Sequence, residues 1–355
     1  MTGTRLASLA LMLACSRVPG MTNVFQPRLL NGIFGDPGLL LRLRWERRAL
    51  LVDLGDLTAQ SPADLLKVTD VFVSHTHVDH FIGFDHLLRI VLGRDRTIRL
   101  FGPPGIIANV EGKLSGYTWN LVEGYTLAFE VHEVSPEKVT TARFPCGARF
   151  ERIDLPPPSM FRGVLLDDPL FRVEAVHLDH KIPCLAFALT EAQRINVDAD
   201  RVIHLGLTTG PWLTEFKRLL RAGAPDETMI RASCADEHGE HVRMIALGDL
   251  RHTIATITSG QKLAYVTDTL YSRDNRHKIT ALARDADILF CEAVYLEQDR
   301  DLATERHHLT ARQAGLLARE ANVKELALFH FSPRYQECPD ALYREAAEAF
   351  GGPVR

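Results

Sequence analysis

The run Val71-Phe72-Val73-Ser74-His75-Thr76-His77-Val78-Asp79-His80 constrains this chain more than any other stretch. Its apolar start, β-branched and aromatic, reads as a strand buried on both faces. The strand ends abruptly in His75, His77, Asp79 and His80, all metal-ligand types. Continued extension past Val73 would place His75 and His77 on one side, because side chains alternate with a period of two. Asp79 and His80 follow a turn, ahead of a helix over 81–92. Donors on both sides of a tight turn serve two ions better than one: an imidazole pair for the first, a carboxylate and an imidazole for the second. Such donors suit zinc, and manganese or iron less selectively.

The remaining chain repeats the device of a polar residue at an apolar strand's end. Strands over 39–45 and 49–54 are joined by a charged turn, and the second ends at Asp53. A strand over 97–101 runs into Gly102-Pro103-Pro104-Gly105, a rigid turn that opens a helix. Residues 117–155 have an interrupted strand pattern, and Pro156-Pro157-Pro158 marks an exposed loop beside the site. The strand at 171–180 finishes in His180, which is preferred over His177 as the residue completing the first set. Further strands end at Asp268, Glu292 and His330, the last followed by Ser332-Pro333-Arg334-Tyr335. His308 precedes Thr310, the N-cap of a helix running to about Ala321. Chance supplies one or two such strand ends, not comfortably the five at 75–77, 180, 268, 292 and 330.

Residues 191–261 are polar and weakly periodic, apart from an amphipathic helix over 212–221. The run Asp236-Glu237-His238-Gly239-Glu240-His241 is ligand-like, but reads as a loop with no buried strand beside it. The chain from 21 to 355 is therefore read as one domain carrying 191–261 as an insert. Residues 1–20 read as a short signal peptide or, preferentially, as an over-extended start ahead of Met21.

With 41 Lys plus Arg against 45 Asp plus Glu, the chain's net charge of -4 makes its whole surface no general trap for nucleic acid. No apolar run reaches the roughly 18 residues that a membrane span needs, so no membrane partner is expected. Six scattered cysteines without a C-x-x-C pair favour a reducing, cytoplasmic setting; a genuine signal peptide would instead mean export.

The HTHVDH run resembles the HxHxDH signature of the metallo-β-lactamase superfamily, which implies an α/β (α+β) protein with a four-layer αββα sandwich and a metal centre at one edge. The likeness extends from about Asn31 to Tyr335 as a resemblance to the ribonuclease Z (tRNase Z) family, phosphodiesterases that remove 3′ trailers from precursor tRNA. It rests on HTHVDH at 75–80, Asp-His-Lys-Ile-Pro-Cys at 179–184, Val-Thr-Asp-Thr at 266–269, Cys-Glu-Ala at 291–293, His-His-Leu-Thr-Ala at 307–311 and His-Phe-Ser-Pro-Arg-Tyr at 330–335. The resemblance implies two zinc ions. His75, His77 and His180 would hold one, Asp79, His80 and His330 the other, and Asp268 would be shared. It also implies that Asp53 orients a ligand imidazole, and that Glu292 and His308 assist proton transfer to the leaving group. Gly206 to Pro211 sits where the family's substrate-gripping arm has its glycine-proline motif, and the likeness implies homodimers. Departures are Val78 in place of a glycine, Thr208-Thr209 in place of two prolines, Ala186-Phe187-Ala188 without the family's usual glycine, tyrosine and arginine, and an insert whose acidic residues are about as numerous as its basic ones.

Two divalent ions carry four positive charges, and Asp79 with Asp268 offset only two, leaving a field matched to a phosphodiester. Asp79 doubles as a proton acceptor, His308 oriented by Glu292 as a proton donor, and Arg334 with Ser332 as substrate contacts through hydrogen bonds to phosphate. The expected function is a dinuclear zinc phosphodiesterase acting on RNA 3′ ends. The alternatives are a metallo-hydrolase of a small cyclic nucleotide, sulfate ester, lactone or thioester, and a non-catalytic binding module on the same fold.

Overall fold

The computed structural model describes residues 23–44, 46–236 and 239–355; the stretch 1–20 lies outside them. Eight strands form the first sheet in chain order: β1 (Phe25–Leu29), β2 (Leu39–Leu43), β3 (Ala49–Val52), β4 (Val68–Phe72), β5 (Thr97–Gly102), β6 (Ala128–Val134), β7 (Lys138–Pro145) and β8 (Ile153–Met160). The second sheet has β9 (Val164–Asp167), β10 (Phe171–Asp179) and β11 (Pro183–Glu191). After β12 (Arg194–Val197), β13 (Met229–Asp236), β14 (Gly239–Ala246) and β15 (Ala255–Thr258), it resumes with β16 (Lys262–Val266), β17 (Ile288–Glu292) and β18 (Leu326–Phe329), in the order β18-β17-β16-β11-β10-β9.

Alternation within each strand builds the layers. Leu39, Leu41, Leu50, Val52 and Phe72 turn inward to meet Phe187, Tyr265 and Phe329 of the second sheet. Leu40, Leu51 and Val71 face the other way, onto the helices Phe84–Val91 and Ile106–Ser115. The second sheet is covered in the same manner by helices Arg273–Ala283, Ala311–Glu320 and Pro339–Phe350. These are the four layers of an αββα sandwich, and strands buried on both faces explain the unbroken apolar runs in the sequence. The N-cap at Thr310 is present and closes a capping box with Gln313.

Several local expectations are corrected. The helix expected over 81–92 is two helices, Val78–Phe81 and Phe84–Val91, because the chain must pass close to the loop after β3. Gly83 donates to the Leu54 carbonyl at 2.8 Å, and a Cβ there would lie 2.1 Å from the Gly55 carbonyl oxygen. Pro156-Pro157-Pro158 is no loop: it lies inside β8, an edge strand. The β7–β8 register shifts between Val139 and Thr141, and the ladder pairs residues 159 and 155 while skipping all three prolines. An edge strand at an irregularity tolerates residues that cannot donate. Residues 236–241 are not an unattached loop either, since Asp236 closes β13 and Gly239 opens its hairpin partner β14; Glu237 and His238 lie outside the described residues.

The stretch between β11 and β16 is more ordered than its sequence suggests. β12 pairs with β15 and β13 with β14, and three helices (Ala199–His204, Trp212–Arg221, Leu247–Ile254) pack with them around Trp212, Phe216, Ile230, Leu247 and Leu250. At its base Glu191 donates its backbone N–H to the Gln261 carbonyl at 2.8 Å, so the insert leaves and re-enters the second sheet at one place.

Candidate metal centre

Ser74 to His80 crosses from β4 to the helix Val78–Phe81, with His77 as that helix's N-cap. The crossing is pinned at both sheets: Val73 donates to the Phe101 carbonyl, and Leu185 of β11 donates to the Ser74 carbonyl, each at 2.8 Å. Three site residues after strands are left-handed: Asp53 (φ 59°), Asp268 (φ 43°) and His330 (φ 60°). Non-glycine residues there carry a cost of order 1–3 kcal/mol each and persist where the surroundings over-determine them. Here each turn directs a side chain into one centre instead of continuing the strand's alternation.

Candidate donor atoms converge in three overlapping groups: His75, His77, His180 and Asp268; Asp79, His80 and His330; and Asp268, Glu292, His308 and His330, the members of each lying within 4.8 Å of one another. Asp268 is central. Its Oδ2 lies 3.5 Å from His75 Nε2, 3.4 Å from His80 Nε2 and 3.4 Å from His180 Nε2, while its Oδ1 lies 2.9 Å from His330 Nδ1. Asp79 Oδ2 is 3.5 Å from His80 Nε2 and 3.4 Å from His330 Nε2.

The far sides of the rings are held. His80 Nδ1 faces Asp53 Oδ2 at 3.0 Å, His180 Nδ1 donates to the His307 carbonyl at 2.8 Å, and His75 Nδ1 faces Ser74 Oγ at 3.1 Å. Such outer partners are what metal-binding histidines require, because they fix the tautomer and leave the other nitrogen's lone pair for the ion. The inner atoms support the same fit. His80 Nε2 is buried and, among the described residues, hydrogen-bonded to nothing, although two carboxylates are near; His330 Nδ1 is also outside hydrogen-bonding geometry. A divalent cation of the zinc class accepts this donor set of imidazole nitrogens and carboxylate oxygens.

Electrostatics divides the rings. Burial, with His80 beside it, pushes His75 down to about 2. Burial opposes charge on His330 too, but Asp268 and then the Asp79 contact hold it up at about 10. Asp79 is held at about 2: its burial acts upward and is outweighed by the His330 hydrogen bond and the His80 charge.

Glu292 belongs to the third group but its oxygens are committed, Oε1 to the Thr269 backbone N–H and Oε2 to His308 Nδ1, both at 2.8 Å. Burial works against the charged His308 ring, yet Glu292 raises its pKa above the ordinary histidine value. His308 and His330 line a cavity of about 290 Å³ together with Phe34, Asp36, Tyr295 and Ser332. A larger cleft of about 800 Å³, between the insert helix Trp212–Arg221 and the edge formed by β9 and β10, shares no lining residue with the centre.

Arg334 pairs with Asp299 at 3.3 Å and lies over the Tyr295 ring. His177 points away, its Nε2 donating to the Val134 carbonyl at 3.0 Å, and no described residue of 236–241 joins a donor group. Sequence reasoning missed Ser74, Tyr265 and Asn275. Tyr265 Oη donates to Asp53 Oδ2 at 3.0 Å, and buried Asn275 ties Thr269 to the Asp179 carbonyl. The position of Ser74 inside the motif was a signal that went unread; nothing local marked the other two.

No family model matches the chain. It is 35% identical over 303 residues to ribonuclease Z of Deinococcus radiodurans, covering 84% of this chain and 87% of that one. Ribonuclease Z of a Cyanothece strain is 28% identical over 302 residues (83% and 78% covered), and that of Nanoarchaeum equitans 25% over 304 residues (84% and 78%). Among solved structures, the metallo-β-lactamase fold protein YhfI of Bacillus subtilis superposes with a TM-score of 0.51 at 17% identity, covering 92% of this chain and 93% of that one. With the donors converging at one edge of an αββα sandwich of the metallo-β-lactamase type, and with more than four fifths of both chains aligned at 35% identity, this chain belongs to the ribonuclease Z family.

Proposed function

We propose that the chain is a metal-dependent endoribonuclease that removes 3′ trailers from precursor tRNA, using two zinc-type cations. The observation that carries this reading is the convergence of His75, His77, Asp79, His80, His180, Asp268 and His330 from remote segments onto one centre. In this reading His75, His77 and His180 would hold one ion, Asp79, His80 and His330 the other, and Asp268 would be shared between them. When bound, such ions supply Lewis acidity at a phosphoryl oxygen and a water acidic enough to attack at neutral pH.

The chain's own groups complete the chemistry. Asp79, half-buried and ionised, accepts a proton from the attacking water. Glu292 fixes the Nδ1–H of His308, so the proton given to the leaving 3′ oxygen comes from Nε2, on a ring that lines the cavity. Ser332, in the same cavity, contacts the phosphate, as does Arg334 when it exchanges Asp299 for an oxyanion. The folded insert, residues 191–261, provides a second contact surface for the RNA, and the active unit is a homodimer acting in the cytoplasm. Among the described residues no helix is long and apolar enough to cross a membrane.

The test is trailer cleavage of a precursor tRNA by zinc-loaded protein, run beside a small chromogenic diester. Trailer release that collapses as salt rises supports the RNA reading; efficient turnover of the small diester with an intact precursor tRNA would overturn it.

A further inference from the structure

Resting on the two-ion reading above, we infer that Ser74 is a positioning residue for one ion only: its hydroxyl sets the tautomer of His75, whereas Asp53 serves both ions. The argument is a count of protons. Ser74 is completely buried, and its Oγ lies 2.9 Å from Asp53 Oδ2, 3.1 Å from His75 Nδ1 and 3.3 Å from His80 Nδ1. A hydroxyl has one proton to donate and two lone pairs that accept. If that proton went to His75 Nδ1, the neutral ring would carry its own hydrogen on Nε2, the atom that faces Asp268 and His77, and could not ligate there.

The arrangement compatible with a ligating Nε2 therefore runs one way, from His75 Nδ1–H to Ser74 Oγ, and from Ser74 Oγ–H to Asp53. Asp53 receives every other donor in this nest as well: the Ser74 backbone N–H at 2.7 Å, the His80 Nδ1–H at 3.0 Å and the Tyr265 hydroxyl at 3.0 Å. The two rings thus differ in their dependence. His80 reaches the carboxylate directly, while His75 reaches it only through the Ser74 hydroxyl. Besides Ser74, the polar atom facing His75 Nδ1 is Cys184 Sγ at 3.9 Å, a weak acceptor.

Removing the hydroxyl should therefore free the His75 tautomer and weaken the ion held by His75, His77 and His180, leaving the ion held by Asp79, His80 and His330 in place. The experiment is a zinc titration of chelator-stripped protein, with bound zinc counted by elemental analysis. Wild type should take two ions tightly. Ser74→Ala should keep one at wild-type affinity and lose about 10- to 100-fold at the other, the usual cost of losing an outer partner. Asp53→Ala should weaken both. Ser74→Thr, which restores a hydroxyl, should recover the second ion. Should Ser74→Ala fail to fold, Ser74→Cys keeps the volume with a poorer acceptor and is scored identically. Two tight ions in the hydroxyl-free variant, or equal weakening at both sites in a folded one, would overturn the inference. Fewer than two ions in wild type would instead overturn the two-ion reading beneath it.

Discussion

The two halves of the sandwich furnish the centre in opposite ways. The first half delivers His75, His77, Asp79 and His80 from one turn between β4 and a short helix, while the second delivers His180, Asp268, Glu292, His308 and His330 singly, from separate strand ends and one loop. In the turn, spacing along the chain fixes which donors meet. In the second sheet, register between strands does so, and parallel pairing of β16, β17 and β18 aligns the strand ends from which Asp268, Glu292 and His330 leave. Local geometry is robust to changes elsewhere; assembled geometry depends on residues remote in sequence.

Substitutions can break or sharpen this contrast. Asp268→Ala should be the most damaging, since the candidate donor groups meet at that carboxylate: turnover should vanish and bound zinc be lost, as read by zinc analysis. Retention of the bound zinc would show that the remaining six donors hold it without that carboxylate. His308→Ala should lower kcat by about 10²- to 10⁴-fold, the range for a positioned proton donor, with zinc content unchanged. Glu292→Gln removes the charge that raises the His308 pKa. The donor must be protonated, so the alkaline fall in rate should move to lower pH, and an unmoved pH profile would place Glu292 outside the proton path. Replacing 194–258 by a short turn should leave small-diester turnover intact while raising KM for precursor tRNA by about 10-fold or more, a loss near 1.4 kcal/mol. Arg334→Ala should leave the thermal unfolding midpoint almost unchanged, because an exposed pair with Asp299 contributes little; its effect should fall on KM, through the phosphate contact.

What was legible in the sequence follows the same divide. The 71–80 run announced itself because ligand spacing there is a local property, and strands buried on both faces stand out as apolar runs. The left-handed turns at Asp53, Asp268 and His330 were not readable, since none is a glycine and only the assembled centre enforces them. β1 escaped notice because Gln26, Pro27 and Arg28 interrupt its apolar pattern at a sheet edge. Within the insert only the helix at 212–221 is periodic enough to read from sequence; the other core residues are shared among short elements, none periodic enough alone. Three prolines in a row read as a loop because proline cannot donate to a ladder, and only the edge position and register shift of β8 accommodate them in a strand.

Those prolines have a further consequence. Among the described residues the eight-stranded sheet ends in β8 on one side and β1 on the other, and both carry proline, three in a row at 156–158 and one at Pro27. A stray extended peptide approaching either margin meets positions with no N–H to offer, so the sheet resists recruiting foreign strands and the runaway growth into fibrils that open margins invite.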